Sequence, residues 1–573
     1  MNKQILFLVT VLTFYFSILT FNCLAQVPAW LWARGSTAVS GGSEASAVAV
    51  DASGNTYMAG EFTTSVTFGT DTLSNVGPGN IFLTKYNAAG NVLWAKRASG
   101  TFYDNAWAAS VAIDTAGNVY MAGYFNSPSF SFDAITLTNT DNSGNSSDIF
   151  LAKYDANGNV LWAKSFGGTL TDQATSIVVD VSGNIYMAGF FNSSTITFDA
   201  IMLTNNHIFG TYLSDAFLAK YDANGNVLWA KSAGGTASEQ ATSIGVDTSG
   251  NAYLEGWFTS DTLVFGSDTL TTTEYGTSIL FLAKYDINGN VVWAKSAGCV
   301  GGSWVSASVA VNASGNAYVA GIFHSLTIIF GSDTLTNTNT DNSTDILLAK
   351  YDANGNVLWA KNAKGMGNDY ASSVAVDILG NAYVTGYFDS QTLTFGPTTL
   401  TNTYYTANYT DLFIAKYNEN GDIMWAKSAG GAKSDNAYSV ALDALGNAYL
   451  AGWFNSPTIT FDTITLASSV GSYFLVKLKD TLVITTGSES IYKENGINIF
   501  PNPAINKITI ENIQQTAPTT ANIEISNIEG QLIKTFTTNE NKTSIDVSAL
   551  PSGVYFVKVK NEKCLEVRKF VKE

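Results

Sequence analysis

The chain has 573 residues, which is too long for one ordinary hydrophobic core, and 46% hydrophobic with 13% aromatic residues is typical of a folded protein. Its formal net charge of −17 argues against nucleic acid or an anionic membrane surface as a partner, because both need a positive patch on the protein. Fifty glycines against nine prolines, with few helix-periodic stretches, predict many short strands joined by tight turns. The expected fold class is all-β.

Residues 1–25 are predicted to be a cleaved signal peptide. Lys3 precedes an apolar run from Ile5 to Phe21, and Cys23 and Ala25 are small residues that suit a cut after Ala25. An uncleaved membrane anchor is the alternative, since the apolar run approaches spanning length. After cleavage two distant cysteines remain, so no disulfide framework is expected.

The segment Phe150 to Lys164, FLAKYDANGNVLWAK, recurs along the chain with small changes. Two apolar runs flank an Asp-x-Asn-Gly-Asn cluster, which predicts a β-hairpin with the glycine at positive φ. A second pattern, Asp-x-x-Gly-Asn-x-Tyr, runs alongside it. Its tyrosines are Tyr57, Tyr120, Tyr186, Tyr253, Tyr318, Tyr383 and Tyr449, and the tryptophans of the first pattern are Trp32, Trp94, Trp162, Trp229, Trp293, Trp359 and Trp425. Each occurs seven times, about 65 residues apart, which indicates a solenoid or a propeller.

The content of one period favours a propeller. Read from Ala371, a period holds two hairpins and therefore four strands, which is one blade, and leaves room for a short extra strand pair between the second and third strands. The segment from Ala29 to Arg34 matches only the fourth strand of a unit, and Tyr473 to Lys477 matches a third strand with no fourth after it. If these two segments pair, both ends of the chain complete the last blade. The sequence therefore predicts a seven-bladed β-propeller closed by N- and C-terminal strands.

The repeated Asp-x-x-Gly-Asn-x-Tyr-x-x-Gly pattern resembles the bacterial seven-bladed β-propeller repeat family, from about Val27 to Lys479. Such propellers host enzymes, receptors and scaffolds, so the resemblance implies a fold and no single function.

The C-terminal segment resembles the sorting domain that the type IX secretion system of Bacteroidetes uses. Asn498 to Pro503, including Pro501, Asn502 and Pro503, match its Asn-x-Phe-Pro-Asn-Pro opening, and Gly553 and Tyr555 match its Gly-x-Tyr strand. Alternating Ile and Val predict a small β-sandwich. The resemblance implies a secreted or outer-membrane surface location, with the secretion machinery as a partner. The predicted domains are a signal peptide over 1–25, a propeller over 26–480, a linker over 481–495 and a sorting domain over 496–573.

Most repeated residues are predicted to be structural. Large rings at equal positions in every unit suit the wedge between twisted blades better than a carbohydrate platform. The Asp155-Ala-Asn-Gly-Asn turn and its copies supply too few oxygens for calcium, and repeated lysines such as Lys153 and Lys164 are expected to be solvated. His207 and His324 stand alone, without Cys or His at metal-ligand spacing. No metal, cofactor or catalytic residue is predicted.

A binding site is predicted where the repeats vary. In a four-stranded blade the second-to-third connection and the link to the next blade share one face, and these segments differ in length and content. Aromatic residues there suit sugar rings or a protein hot spot, although they could equally cover the loops' own apolar bases. The candidate ligand-binding residues are Tyr103, Trp107, Tyr212, Tyr275, Trp304, Tyr370, Tyr404, Tyr405, Tyr409 and Tyr438.

Acidic residues just before the first strands form a second candidate set around the channel mouth. They are Asp104, Asp172, Glu239, Asp369 and Asp435, with Glu44 nearly in register. They could hold a cation or a basic ligand. The favoured alternative is that each accepts backbone N–H bonds in its inter-blade link.

Three functional hypotheses follow. The leading one is a monomeric, secreted or surface-attached module that binds a glycan or protein and is not an enzyme. The second is a polysaccharide-active or other hydrolytic enzyme using the acids or the long loops. The third is a purely architectural surface protein.

Overall fold

The computed structural model describes residues 28–36, 41–75, 80–100, 106–141, 143–205, 213–272, 277–300, 307–337, 343–405, 408–480, 497–512, 521–527, 532–540, 542–560 and 565–572. Every regular element in these residues is a β-strand, so the expected all-β class is confirmed. The chain divides into two compact units, Met1–Thr481 and Leu482–Glu573.

In the described residues of the larger unit, seven antiparallel sheets are built on four strands each, and we number them 1 to 7 in the chain order of their first strands. Sheets 1 and 2 comprise Ser43–Val50, Thr56–Phe62, Asn80–Tyr86, Val92–Gly100, and Trp107–Ile113, Val119–Phe125, Asp148–Tyr154, Val160–Phe166. Sheets 3 and 4 comprise Asp172–Val179, Ile185–Phe191, Asp215–Tyr221, Val227–Ala233, and Glu239–Val246, Ala252–Phe258, Ile279–Tyr285, Val291–Ser296. Sheets 5 and 6 comprise Ala307–Val311, Ala317–Phe323, Asp345–Tyr351, Val357–Ala363, and Asp369–Val376, Ala382–Phe388, Asp411–Tyr417, Ile423–Ala429. Sheet 7 comprises Asp435–Leu442, Ala448–Phe454, Ser472–Lys479 and Ala29–Gly35.

A short hairpin lies between the second and third strands of each sheet, in the place where the sequence left room for one. The hairpins are Ser65–Phe68 with Asp71–Ser74, Ser129–Phe132 with Ile135–Thr138, Thr195–Phe198 with Ile201–Thr204, Thr262–Phe265 with Asp268–Thr271, Thr327–Phe330 with Asp333–Thr336, Thr392–Phe395 with Thr398–Thr401, and Thr458–Phe461 with Ile464–Ala467. Two also form a strand pair beyond themselves: Ser129–Phe132 joins the last strand of sheet 1, and Thr327–Phe330 joins Gly298–Val300. Three others form a single bridge, from Val264, Thr394 and Thr460 to Gly234, Lys364 and Gly430.

Sheet 7 is built from both ends of the larger unit. The strand Ala29–Gly35 pairs antiparallel with Ser472–Lys479, placing Trp32 opposite Lys477 and Gly35 opposite Phe474. The predicted pairing of these two segments is therefore confirmed. Trp30 is 6% exposed and meets the ring of Phe461 edge-on at 5.2 Å, so the N-terminal strand is anchored by packing as well as by backbone bonds.

Because the strands of each sheet are antiparallel, its loops lie at two opposite ends of the strands, and these two ends differ. We use the word edge for such an end. The turns between first and second strands and between third and fourth strands are short and alike. In one of them the Asp180 carboxylate accepts the backbone N–H groups of Ser182 and Asn184, and Gly183 has φ of 81°. We call this side the uniform-turn edge. The opposite side, where the first strand starts and the second ends, is the variable-connection edge.

Neighbouring first strands are joined by serine bridges. The Val309 N–H of sheet 5 donates to Ser243 Oγ of sheet 4 at 3.0 Å, and equivalent bonds run from sheet 2 through sheet 7. The Val48 N–H of sheet 1 donates to Ser439 Oγ of sheet 7 at 3.2 Å, so the same bridge joins the last sheet to the first.

A buried lysine lies on the third strand of every sheet, and in sheets 1 to 5 it donates to a carbonyl of the next sheet. Lys85, Lys153, Lys220, Lys284, Lys350, Lys416 and Lys477 are at most 8% exposed, and their ammonium groups lie 4.6 to 5.1 Å from the ring centroids of the repeated tyrosines. Lys153 Nζ donates to the Ala223 carbonyl of the next sheet at 2.8 Å. The expectation that Lys153 is solvated is therefore wrong. A strand buried on both faces gives its lysine no route to water, and a carbonyl with an aromatic face replaces that water.

The repeated tryptophans pack against the next sheet as expected. The Trp94 indole N–H donates to the Ala156 carbonyl of sheet 2 at 3.1 Å, and a side chain on Gly158 would collide with the Trp94 ring. Trp32 of sheet 7 donates in the same way to the Ala88 carbonyl of sheet 1 at 3.3 Å. These rings are inter-sheet contacts rather than a sugar platform.

Where the structure describes the smaller unit, two sheets pack around one core. Three strands, Ile497–Phe500, Lys507–Asn512 and Lys542–Asp546, form one sheet, and Leu532–Thr538, Ala521–Asn527, Gly553–Lys560 and Leu565–Lys572 form the other in that order. Ile508 and Ile510 of the first pack with Ile523 and Val557 of the second. This arrangement agrees with the expected small β-sandwich.

One buried residue breaks the repeat. Glu255 stands on the second strand of sheet 4 where sheets 1, 2, 3, 5 and 7 carry alanine. It is 1% exposed and accepts a hydrogen bond from the Thr242 hydroxyl. Burial raises the pKa of Glu255 to about 8. The sequence analysis did not single this residue out.

Substituting Trp30→Ala should lower the free energy of unfolding of the larger unit by about 3–5 kcal/mol, because a large buried ring is lost from the strand that completes sheet 7. The neighbouring Leu31, which is 47% exposed, serves as the matched control. Leu31→Ala should change stability by no more than about 0.5 kcal/mol in urea unfolding of the full chain. Equal effects of the two substitutions would contradict the anchoring role of Trp30.

Substituting Glu255→Gln should remove a pH dependence of stability. Between the usual glutamate range and about pH 8, the unfolded chain releases the Glu255 proton while the folded chain keeps it. The native protein should therefore lose stability as pH rises through this window, by up to about 1.4 kcal/mol per pH unit. Midpoints of urea unfolding from pH 5 to 8 should fall less steeply for the variant. Equal slopes of urea midpoint against pH for the variant and the native protein would refute this. The control is Glu419→Gln, at an exposed residue.

Candidate functional site

Seven half-buried side chains lie together at the variable-connection edge of sheets 6, 7, 1 and 2. They are Tyr370, Tyr387, Tyr438, Glu44, Glu61, Tyr124 and Trp107. We call this set the acidic-aromatic crescent. Each lies at the start of a first strand or at the end of a second strand, so the sheet topology brings together residues that are far apart in the chain.

Three tyrosines form one arm of the crescent. Tyr370 and Tyr387 are cross-strand partners in sheet 6, and their rings stack with centroids 4.8 Å apart. Tyr438 of sheet 7 meets Tyr387 edge-on at 6.3 Å. Tyr438 is the extra residue of a β-bulge between Ala437 and Ser439, and a bulge redirects a side chain that the regular pleat would place elsewhere.

Two glutamates form the centre of the crescent. Glu44 and Glu61 are direct cross-strand partners in sheet 1, so their carboxyls share one face of the sheet. Burial, and then the Glu44 charge, raise the pKa of Glu61 to about 7. Burial also raises the pKa of Glu44, while a hydrogen bond from Tyr438 acts in the opposite direction. Neither glutamate forms an ion pair with any Lys or Arg in the described part of the chain.

The second aromatic arm continues into sheet 2. Trp107 and Tyr124 are cross-strand partners there. Burial raises the pKa of Tyr124, and the nearby Glu61 carboxylate adds to the shift, which places this phenol beside the acidic centre. The crescent therefore presents aromatic rings on both sides of two carboxyls.

Of the predicted ligand-binding residues, Trp107, Tyr370 and Tyr438 lie in the crescent. Tyr404, which is 47% exposed, and the half-buried Tyr405 and Tyr409 lie in the connection between the second and third strands of sheet 6. The candidates Tyr103, Tyr212, Tyr275 and Trp304 fall outside the described residues.

Glu61, Tyr124 and Tyr387 are not among the residues predicted from the sequence. A signal for them exists within the chain: the residue between the repeated glycine and phenylalanine of the second strand varies, whereas its neighbours do not. Glu44 does not share the position of the channel-mouth acids with which it was grouped. It pairs one position further along the strand than Asp172 does in its sheet, and successive strand residues point to opposite faces.

The predicted channel-mouth acids are not presented to solvent. Asp172, Glu239, Asp369 and Asp435 are fully buried. Asp172 accepts hydrogen bonds from the Ser193 hydroxyl and the Gly168 N–H, both at 2.8 Å. Ser260, Ser390 and Ser456 donate in the same way to the other three. Each acid thus fastens an inter-sheet link, which was the favoured alternative, because an unbonded buried carboxyl would be costly. Asp104 lies outside the described residues.

Burial gives these acids high pKa values. Burial raises the pKa of Asp172 to about 7, that of Glu239 to about 8 and that of Asp435 to about 6. The hydrogen bonds to these carboxyls lower the pKa values but do not outweigh burial. Within the described residues, no group of three or more His, Cys, Asp or Glu is arranged to hold a metal ion. The same residues include no helix long and apolar enough to cross a membrane.

The predicted sorting-motif residues lie close together in the smaller unit. Asn502 accepts the Val571 N–H at 2.8 Å and donates to the Lys569 carbonyl at 3.2 Å, while Pro501 and Pro503 beside it are exposed. Gly553 begins a strand, and Tyr555 stacks on Phe570 with centroids 5.5 Å apart. The opening motif is thus tied to the last strand, which carries Phe570.

Two segments of the chain match known families. Residues 498–573 match the secretion system C-terminal sorting domain, and residues 367–387, in the first hairpin of sheet 6, match the beta-propeller repeat. Both resemblances seen in the sequence are therefore confirmed. A sorting domain of this kind implies export to the cell surface or beyond.

Comparison with whole proteins gives weaker similarities. An uncharacterized WD repeat-containing protein of Acanthamoeba polyphaga mimivirus is 25% identical over 452 residues, covering 69% of this chain and 32% of that protein. The regulatory protein FlaEY of Caulobacter vibrioides is 31% identical over 140 residues, covering 24% of this chain and 14% of that protein. The chain thus spans a third or less of these relatives.

Among solved structures, PorZ, an essential surface component of the type IX secretion system of Porphyromonas gingivalis, is 12% identical with a TM-score of 0.17, over 94% of this chain and all of PorZ. Sqt1 from Chaetomium thermophilum is 10% identical with a TM-score of 0.34, over 72% of this chain and 79% of Sqt1. The chain thus carries one segment that matches a secretion system C-terminal sorting domain and one that matches a beta-propeller repeat.

Proposed function

We propose that this chain is a secreted or outer-membrane surface binding protein, exported by the type IX secretion system, that holds a ligand at the variable-connection edge of a closed seven-bladed β-propeller and performs no catalysis. The observation that carries the proposal is the crescent: seven half-buried polar and aromatic side chains, drawn from four sheets, meet at one edge. Aromatic residues gathered in this way are typical of binding hot spots.

The links between sheets support a closed ring of blades. The serine bridge, the tryptophan N–H bond and an aliphatic-aromatic core recur between sheet 7 and sheet 1. A ring closed in this way has no exposed inter-blade edge and holds the crescent at a fixed geometry, and pre-organised groups lose less entropy when a ligand binds.

The placement of the acids supports binding without catalysis. A glycosidase needs two carboxyls that reach the sugar, one on each side of the bond that breaks. The four buried acids are occupied by serine hydroxyls, and Glu44 and Glu61 project from one face of one sheet. Measurable depolymerisation of a polysaccharide by the purified chain would contradict the proposal.

The binding role predicts that removing two rings of the crescent abolishes ligand capture without unfolding. Tyr370→Gln with Tyr387→Ile introduces residues that other sheets carry at the same register, Gln173, Gln240 and Ile322, so the fold should tolerate the change. On arrays of bacterial and host glycans and of purified envelope proteins, the native chain should bind at least one ligand. The double variant should lose that binding by tenfold or more, as expected when hot-spot rings are lost.

The control for this experiment is Ile378→Ser, at a residue 72% exposed on the uniform-turn edge, which should leave binding unchanged. Native-like melting of all variants, measured alongside, separates lost contacts from lost folding. Equal capture by the native chain and the double variant would overturn the assignment of the crescent, and would favour an architectural role if nothing binds at all.

The export role predicts that a chain lacking residues 498–573 stays inside a cell that has the type IX secretion system, whereas the full chain reaches the surface or the medium. Immunoblots of periplasm, outer membrane and medium measure this. The control is Leu532→Ser, at an exposed position of the same unit, which should fold and be exported. Export of the shortened chain would contradict the role of the domain.

A further inference from the structure

The two glutamates at the centre of the crescent are unusual neighbours. Like charges directly opposite each other on adjacent strands destabilise a sheet, yet Glu44 and Glu61 occupy such a pair. At the register position of Glu44, sheets 3 and 4 carry the neutral Gln173 and Gln240. The fold therefore has no need of an acid here, and no described Lys or Arg neutralises the pair.

The aromatic arms point independently to the same kind of ligand. Tyr438 and Tyr387 lie on one side of the carboxyls, and Tyr124 lies on the other. Electron-rich ring faces attract cations, and guanidinium groups in particular stack on them. Rings and carboxyls at one site thus favour a group that is both planar and positively charged.

Resting on the binding function proposed above, we infer that the crescent binds arginine side chains of a basic polypeptide. The guanidinium lies between the carboxylates of Glu44 and Glu61, whose Cβ atoms on facing strands are about 5 Å apart, a separation that parallel N–H donors of one guanidinium can span. The rings of Tyr387, Tyr438 and Tyr124 stack on the planar guanidinium and pack against the methylene groups of the arginine side chains. The crescent extends over four sheets, which is longer than one sugar ring and suits an extended segment with several basic residues.

The test uses the full-length chain and three small probes in isothermal titration calorimetry at pH 8. The probes are capped tetra-arginine, capped tetra-citrulline, which has the same shape without charge, and the tetramer of glucosamine. Tetra-arginine should bind, and tetra-citrulline should bind at least about tenfold more weakly, because the charge-assisted hydrogen bonds are lost. Glu44→Gln with Glu61→Gln should weaken tetra-arginine binding by roughly tenfold or more.

The control is Glu419→Gln, which removes one carboxylate by the same Glu-to-Gln change at an exposed residue of the uniform-turn edge and should leave binding unchanged. This control separates a specific site from general attraction to a chain of net charge −17. The double variant should melt no lower than the native chain, since it loses a repulsion. If it fails to fold, Glu44→Gln alone replaces it, since Gln already occupies that register in sheets 3 and 4.

Three results would overturn the inference: no binding of tetra-arginine, equal binding by the double variant, or equally tight binding of the glucosamine tetramer through the same glutamates. The last result would reassign the site to amino sugars. None of these three results bears on the proposed binding function. That function stands if binding of the ligand found on the arrays is lost in the Tyr370→Gln, Tyr387→Ile variant, and it fails if that binding is unchanged.

Discussion

The pairing of Ala29–Gly35 with Ser472–Lys479 is the constraint on which the rest of the larger unit depends. Without it, the buried strand Ser472–Lys479 would become the unpaired edge of sheet 7, and edges of this kind invite aggregation. The same strand carries Trp32 and Arg34, which donate to the Ala88, Ala89 and Gly90 carbonyls of sheet 1. One pairing therefore completes a sheet and fastens it to its neighbour, and this junction is where Tyr438 of sheet 7 meets Glu44 of sheet 1.

The inter-sheet links show how a chain of modest hydrophobicity holds repeated sheets together. Each buried lysine loses its water, and this is offset by a ring face. In sheets 1 to 5 a carbonyl of the next sheet also accepts from the lysine, and in sheets 3, 4, 6 and 7 a buried aspartate lies nearby. Removing one partner would leave a buried charge alone, so substitution of either residue of a link is expected to destabilise the larger unit. A rigid frame is what allows an edge with variable residues to hold a site.

The sequence predicted the features that repetition encodes. The seven repeated Tyr and Trp patterns predicted the four-stranded unit. The partial repeats near Ala29 and Tyr473 predicted that sheet 7 is built from both ends of the larger unit, and the Asn-x-Phe-Pro-Asn-Pro motif predicted the sorting domain. Single positions were harder, because strand environment is decided by neighbours that the local pattern does not show. Lys153 looks solvated in sequence yet is buried on both sides, and Asp172 and Glu44, both acids near the start of a first strand, point to opposite faces. Tyr438 faces Glu44 because of a β-bulge, and the amino-acid sequence around Tyr438 does not predict that bulge.

The crescent exists only if sheets 7 and 1 are neighbours, so the most direct measurement is hydrogen–deuterium exchange at the N-terminal strand. Slow exchange is expected for those amides of Trp32 to Gly35 that point toward Phe474 to Lys477, because they donate into the shared ladder, whereas the alternate amides of this edge strand should exchange faster. Exchange of the N-terminal amides at the rate of an unstructured peptide, with the partners still protected, would contradict it.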